Sequence, residues 1–205
     1  MSNRRSIKKL FCALALVVCV IGGAALAQDA APAADDAMQQ MMQAYAAYGA
    51  VGPEHDALAK RVGTYDAVVK MWMAPGTEPQ ISKAVSEVRL ALDGRFILES
   101  FKGDIPQMGP FEGMGITGFD NMKKQYVTIW VDSMSSGVMR GFGAASDDGK
   151  TIEWETESPD LVANRYKTMR MVEIEVDAKT RKMEAYDTAQ DGAEFLSMEI
   201  TYKKR

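Results

Sequence analysis

Between Leu90 and Asp132 the chain reads LALDGRFILESFKGDIPQMGPFEGMGITGFDNMKKQYVTIWVD, four short strands parted by tight turns with no helix-period segment inside. Strands that follow one another this closely pair antiparallel, because a parallel partner needs a crossover of a dozen residues or more. The stretch therefore predicts an up-and-down sheet. A period of two persists from Gly63 onward. It predicts strands over Thr64–Met73, Ile81–Leu92, Arg95–Gly103, Phe111–Asp120, Gln125–Asp132, Val138–Ala145, Thr151–Glu157, Arg165–Asp177, Lys182–Thr188 and Glu194–Lys203. Pro75-Gly76, Asp93-Gly94, Asp120-Asn121, Asp147-Asp148-Gly149 and Asp191-Gly192 mark turns between them. No connection is long enough to carry the chain to a second sheet, as a Greek key needs. Closing a meander removes its exposed edges. The expected fold is all-β, an antiparallel up-and-down barrel of about ten strands with short N-terminal helices.

Ahead of the barrel, Arg4, Arg5, Lys8 and Lys9 precede an apolar run from Leu10 to Ala27 that ends in Ala25-Leu26-Ala27. That is the charge, core and small-x-small order of a cleavable signal peptide. An uncleaved anchor is the competing reading, since about 18 apolar residues begin to suggest a span; the Gly22-Gly23 break favours cleavage. The expected organisation is a signal peptide over 1–27, a flexible lead-in and short amphipathic helix over 28–50, and the barrel domain over 51–205. Removing 27 of the 205 residues takes four positive charges and no negative ones, moving the net charge from −4 to −8. Both cysteines, Cys12 and Cys19, leave with it. The mature chain then has no disulfide and no thiolate chemistry. An acidic chain with no basic run argues against nucleic acid and against an anionic membrane surface. The expected location is periplasmic or secreted, with no stable membrane insertion after cleavage.

Within the lead-in, Met38, Met41, Met42, Tyr45 and Tyr48 follow helical spacing, a stripe that suits packing on the domain or a lid. Pro53 and Glu54 open a second short helix, with Leu58 and Val62 four apart to plug what lies beneath.

Side-chain facing follows from the alternation. Glu153, Glu155 and Glu157 share a face that belongs in water, so Ile152, Trp154 and Thr156 face in. Over Arg165–Asp177 the face carrying Glu173, Glu175 and Asp177 also reads as solvent, which turns Tyr166 and Arg170 inward. On the neighbouring strand the bulkier set, Val138, Arg140 and Phe142, is expected inside. The Asp93-Gly94 turn pairs Leu90 with Ile97, Val88 with Glu99 and Ser86 with Phe101, so Glu99 is an inward carboxylate. Gln125–Asp132 stays open: Val127, Ile129 and Val131 suit a core, whereas Trp130 and Asp132 suit a binding wall. An unpaired buried charge costs several kcal/mol. Inward Arg140 and Arg170 therefore need inward carboxylates, for which Glu99 and Asp132 are available, or a wet cavity, or an anionic ligand. The candidate ligand-binding residues are Arg140, Arg170, Tyr166, Trp154, Glu99, Trp130 and Asp132. A structural ion-pair network, or a misread face, is the alternative reading of the same residues.

His55 is the single histidine, which excludes a multi-histidine metal site; near a helix start it suits packing or capping. The methionines suit an adaptable interior better than a Cu(I) site. Gly113-x-Gly115-x-x-Gly118 matches the dinucleotide fingerprint in letters only, because no helix follows. No catalytic residue, metal or cofactor is assigned.

The segments Gly52-Pro53-Glu54-His55, Lys70-Met71-Trp72-Met73, Asp93-Gly94-Arg95-Phe96, Pro110-Phe111-Glu112-Gly113, Gly118-Phe119-Asp120, Trp130-Val131-Asp132-Ser133 and Glu199-Ile200-Thr201-Tyr202 carry a resemblance. From about Gly52 to the end the chain resembles the bacterial domain-of-unknown-function family 1579. The resemblance implies a calycin-like (lipocalin-like) barrel and no particular reaction. Gly63-Thr64-Tyr65 also looks like the Gly-x-Trp start of calycin barrels, where the aromatic packs at the closed end under an arginine from the final strand; here that strand ends Lys203-Lys204-Arg205. Fatty-acid-binding calycins clamp a carboxylate with inward Arg and Tyr, an analogy for Arg140, Arg170 and Tyr166. Haem-binding barrels use a histidine on a late strand, and none follows His55.

The expected function is an exported barrel that binds a small amphiphilic or anionic ligand in its cavity. The alternatives are a non-catalytic structural or interaction barrel with a filled interior, then a hydrolase or isomerase using the same cavity.

Overall fold

The computed structural model describes residues 30–160 and 163–205, with side chains from residue 34. The expected signal peptide lies outside the described residues. Two compact units divide the chain, Met1–Met42 and Gln43–Arg205. Helix α1 (Ala30–Tyr48) starts in the first unit and ends in the second. Among the described residues, no helix is long and apolar enough to cross a membrane.

The second unit contains helix α2 (Pro53–Ala59) and ten strands: β1 (Gly63–Met71), β2 (Gln80–Ala91), β3 (Phe96–Ile105), β4 (Gly109–Asp120), β5 (Gln125–Asp132), β6 (Met139–Ala145), β7 (Thr151–Asp160), β8 (Arg165–Asp177), β9 (Thr180–Thr188) and β10 (Glu194–Lys204). Every strand pairs antiparallel with its neighbours in the chain, and β1 pairs with β10 to close the barrel. The expected meander is therefore the observed one. The β2–β3 hairpin has the predicted register, Leu90 with Ile97, Val88 with Glu99 and Ser86 with Phe101. Its turn places Asp93 and Gly94 at positive φ, 55° and 84°, the two left-handed positions that a type I′ turn requires.

One end of the barrel is plugged. Helix α2 lies against β3 and β4, with Pro53 at its start and Glu54 and Asp56 in its first turn. Its Leu58 is fully buried. His55 is buried too: its Nδ1 accepts the Gly52 N–H at 3.1 Å, and its ring meets Phe119 edge-on at 6.0 Å. Capping and packing thus account for the lone histidine.

Two facing expectations are corrected. On β6 the inward set is Met139, Gly141 and Gly143, so Arg140 and Phe142 point outward. Bulk was the wrong guide because the neighbouring strands supply the filling. A methyl on Gly143 would lie 2.7 Å from the Trp154 ring, and one on Gly141 would lie 2.8 Å from Thr128 Cγ2 and 3.0 Å from Thr156 Cγ2. On β8 the register sets Met171 opposite Trp154 and Glu173 opposite Ile152. Directly paired residues share a face, so Met169, Met171 and Glu173 are inward and Arg170 and Tyr166 outward. Glu173 tolerates the interior because a buried arginine meets it there. The open question on β5 is settled the other way from a conventional core: Tyr126, Thr128, Trp130 and Asp132 face in, while Ile129 is exposed on the outer face.

Candidate functional site

The inward residues do not fill the lumen. They surround a cavity of about 240 Å³ that reaches the rim at Met71, Asp104 and Ile105, opposite the α2 plug. Eight strands enclose roughly what side chains alone can fill, and ten enclose more. Glycines widen the space further. Gly113 and Gly115 on β4 lie under the Trp130 indole, and Gly143 on β6 lies under Trp154. Both tryptophan rings are thereby laid along the wall instead of across the lumen. Gly118, the third glycine of the apparent fingerprint, makes room for Phe96, so the pattern is a packing feature of β4.

Two kinds of wall result. β3, β4 and β5 contribute Phe101, Phe111 and Trp130, with Phe101 edge-on to Phe111 at 6.2 Å and to Trp130 at 6.1 Å. β1, β8, β9 and β10 contribute Met71, Met171, Met183 and Met198. The aromatic wall is stiff; the thioether wall can repack around different shapes.

Charge enters at the floor. Glu99 and Glu173 line the cavity. Glu99 Oε1 accepts from Ser86 Oγ at 2.5 Å and from Arg181 Nη2 at 3.5 Å. Glu173 pairs with Arg61, whose Nε also meets Glu175 at 2.9 Å. Arg181 lies on Tyr202, 4.0 Å from its ring centroid, and 5.2 Å from that of Tyr65. Burial opposes the Arg181 charge most strongly. Glu99, together with Tyr202, Glu173 and Tyr65, outweighs it and holds the guanidinium above arginine's ordinary value. Burial likewise raises the Tyr202, Tyr65 and Tyr126 phenols, which stay protonated at neutral pH. Tyr65 donates to the Arg61 carbonyl at 2.8 Å. The arginine over the Gly-x-Tyr aromatic therefore comes from the penultimate strand, not the last. On the final strand Lys204 lies 5.8 Å from the Tyr65 ring centroid, and Tyr202 meets that ring edge-on at 6.3 Å.

Of the sequence-predicted residues, Trp154, Glu99 and Trp130 come together on the cavity. Asp132 sits beside them toward the mouth, accepting the Trp130 indole N–H at 3.1 Å and the Met134 N–H at 2.9 Å. Arg140, Arg170 and Tyr166 are not part of it. Arg140 bonds Glu157 across the outer face at 2.5 Å. Arg170 bonds Glu194 at 2.7 and 3.1 Å and covers Tyr186. Tyr166 is exposed.

The residues missed were Arg181, Arg61 and Glu173. The signal for Arg181 was present: on β9 it alternates with Lys182 and Glu184 and shares a face with Met183 and Ala185. The expected strand began one residue too late to include it.

A second hollow of about 380 Å³ lies at the plugged end, between α2 and the 149–152 and 175–178 segments, with Leu58, Tyr126 and Ile152 at its base. It is larger, but its charged lining, Lys60, Arg61, Lys150, Glu175 and Asp177, is that of a solvated groove. The lumen is the better site because it combines enclosure, apolar walls and converging polar groups.

The fold and cavity define a closed antiparallel barrel with a hollow lumen. The family described as "Protein of unknown function (DUF1579)" matches residues 50–204, and the chain belongs to it. Among solved structures the chain is similar to a redesigned beta barrel, at 12% identity over 73% of this chain and 95% of that one, with a TM-score of 0.40. No curated protein matches.

Proposed function

We propose that this protein is an exported, non-catalytic barrel that takes up one small, largely apolar molecule in its lumen. The observation that carries the proposal is the hollow itself: Trp130 and Trp154 are folded back over inward glycines, leaving about 240 Å³ open among apolar side chains. Empty apolar space costs contacts, so a fold that keeps it gains by filling it with a ligand. A cavity of about 150 Å³ holds a benzene ring, so this one suits a ring with a short chain or an aliphatic body of similar size. The leader, with its four basic residues and Ala25-Leu26-Ala27, supports export and a mature start at Gln28.

Native mass spectrometry of the mature protein purified from its own host tests both parts. The expected result is a chain beginning at Gln28 carrying a small non-covalent mass that is absent from a Ser82→Phe variant, since Ser82 lines the cavity. A chain retaining its leader contradicts export. A bare polypeptide, or a mass that persists in Ser82→Phe, contradicts uptake in the lumen.

A further inference from the structure

Resting on that reading, we infer that the lumen selects ligands whose polar end donates hydrogen bonds, cationic amines above all, and disfavours anions. The charged groups on the cavity floor are two carboxylates, Glu99 and Glu173, beside the Tyr202 phenol and a Thr117–Thr128 pair whose hydroxyls bond each other at 3.0 Å. Each is held from behind by an arginine through one oxygen: Oε1 of Glu99 receives Ser86 and Arg181, and Oε2 of Glu173 receives Arg61. Among the described residues no hydrogen bond is made to Oε2 of Glu99 or Oε1 of Glu173, and neither atom is sealed in the core. Each of these two lining carboxylates therefore keeps one oxygen without a partner.

Lys83 borders the cavity but takes the outward register of β2, between Ser82 and Ala84, and the inward cations that would receive an anion are already committed. Arg61 is held by Glu173 and Glu175. Arg181 has an unpartnered Nε, but its guanidinium lies beneath the floor against Tyr202, outside the cavity lining. Near the mouth the inward Lys167 grips Asp187 through both carboxylate oxygens, at 2.6 and 2.7 Å. The floor set, Glu99, Glu173 and Glu175 against Arg61 and Arg181, has one more negative than positive charge. An incoming carboxylate or phosphate would displace a carboxylate from its arginine or face the free carboxylate oxygens. An ammonium bonds a free carboxylate oxygen without breaking a pair, and charge-assisted bonds of this kind are about twice as strong as neutral ones. Phe101, Phe111 and Trp130 offer aromatic faces to the body of such a ligand.

Isothermal titration calorimetry of the mature protein at pH 7 separates the possibilities with three probes of one body and different ends: 2-phenylethylamine, 2-phenylethanol and phenylacetate. The expected order is amine, then alcohol, then carboxylate, with the amine at least about tenfold tighter than the carboxylate. In Glu173→Gln, which leaves Arg61 its Glu175 partner, the advantage of amine over alcohol shrinks while alcohol binding remains. Glu99→Gln does the same wherever it folds with Arg181 unpaired. Phenylacetate binding as tightly as the amine, or an amine preference unchanged in Glu173→Gln, overturns the head-group inference and leaves the cavity standing. No binding by any of the three overturns both.

Discussion

A methyl group on Gly143 would sit 2.7 Å from Cε3 of Trp154 and 2.9 Å from the Glu153 carbonyl oxygen, and the latter is backbone that cannot turn aside. Gly143→Ala is therefore expected to cost about 1–3 kcal/mol through overpacking. Phe142→Ala, next door on the outer face, removes a whole half-exposed ring and is expected to cost less. Urea unfolding of the two variants checks the order, and the reverse order would put β6 the other way round. The arginines make a parallel pair. Arg140→Ala breaks an exposed bridge to Glu157 worth about 0–1 kcal/mol, whereas Arg181→Ala strands Glu99 in the interior and is expected to cost about 3–5 kcal/mol. Neither contrast was legible in the sequence. Bulk and charge are the local guides to facing, and both fail where a neighbouring strand brings the bulk and a distant arginine pairs the carboxylate. Glu99 was legible because its facing followed from hairpin register, which is local.

At the scale of elements, closure depends on β10 bridging β1 and β9. On the outer face of that seam Glu199 of β10 accepts from Lys182 of β9 at 2.6 Å and from Lys70 of β1 at 3.0 Å. The Lys182 hydrogen bond, against the opposing effect of burial and with further help from Lys70, holds the Glu199 carboxyl below its ordinary value. A depressed carboxylate stabilises the fold above its unfolded value, about 4.3, and that stabilisation is lost as pH falls through the lower folded value. Glu199→Gln is expected to cost about 1 kcal/mol at pH 7. Its melting temperature should converge with that of the unaltered protein as the pH falls below about 4. A gap that stays constant down to pH 2.5 would show that the pair does not hold the seam. Strand number, order and most boundaries were legible here, because a period of two and Asp-Gly turns are properties of adjacent residues. The pairing across the seam joins residues about 130 apart, and no local signal carries it.

For the whole molecule, a barrel with more strands than its side chains need, and with glycines under its tryptophans, remains hollow. Inward Trp154 and Glu99 are legible in the alternation, but volume is a sum over ten strands and no single stretch reports it. The central claim is that this lumen is open to a ligand. Fluorescence titration of the mature protein with 2-phenylethanol tests it most directly, because Trp130 and Trp154 both line the cavity. A saturable change in tryptophan emission, abolished in a folded Ser82→Phe variant, is the predicted result. Emission that stays flat, or that changes identically in Ser82→Phe, would contradict it.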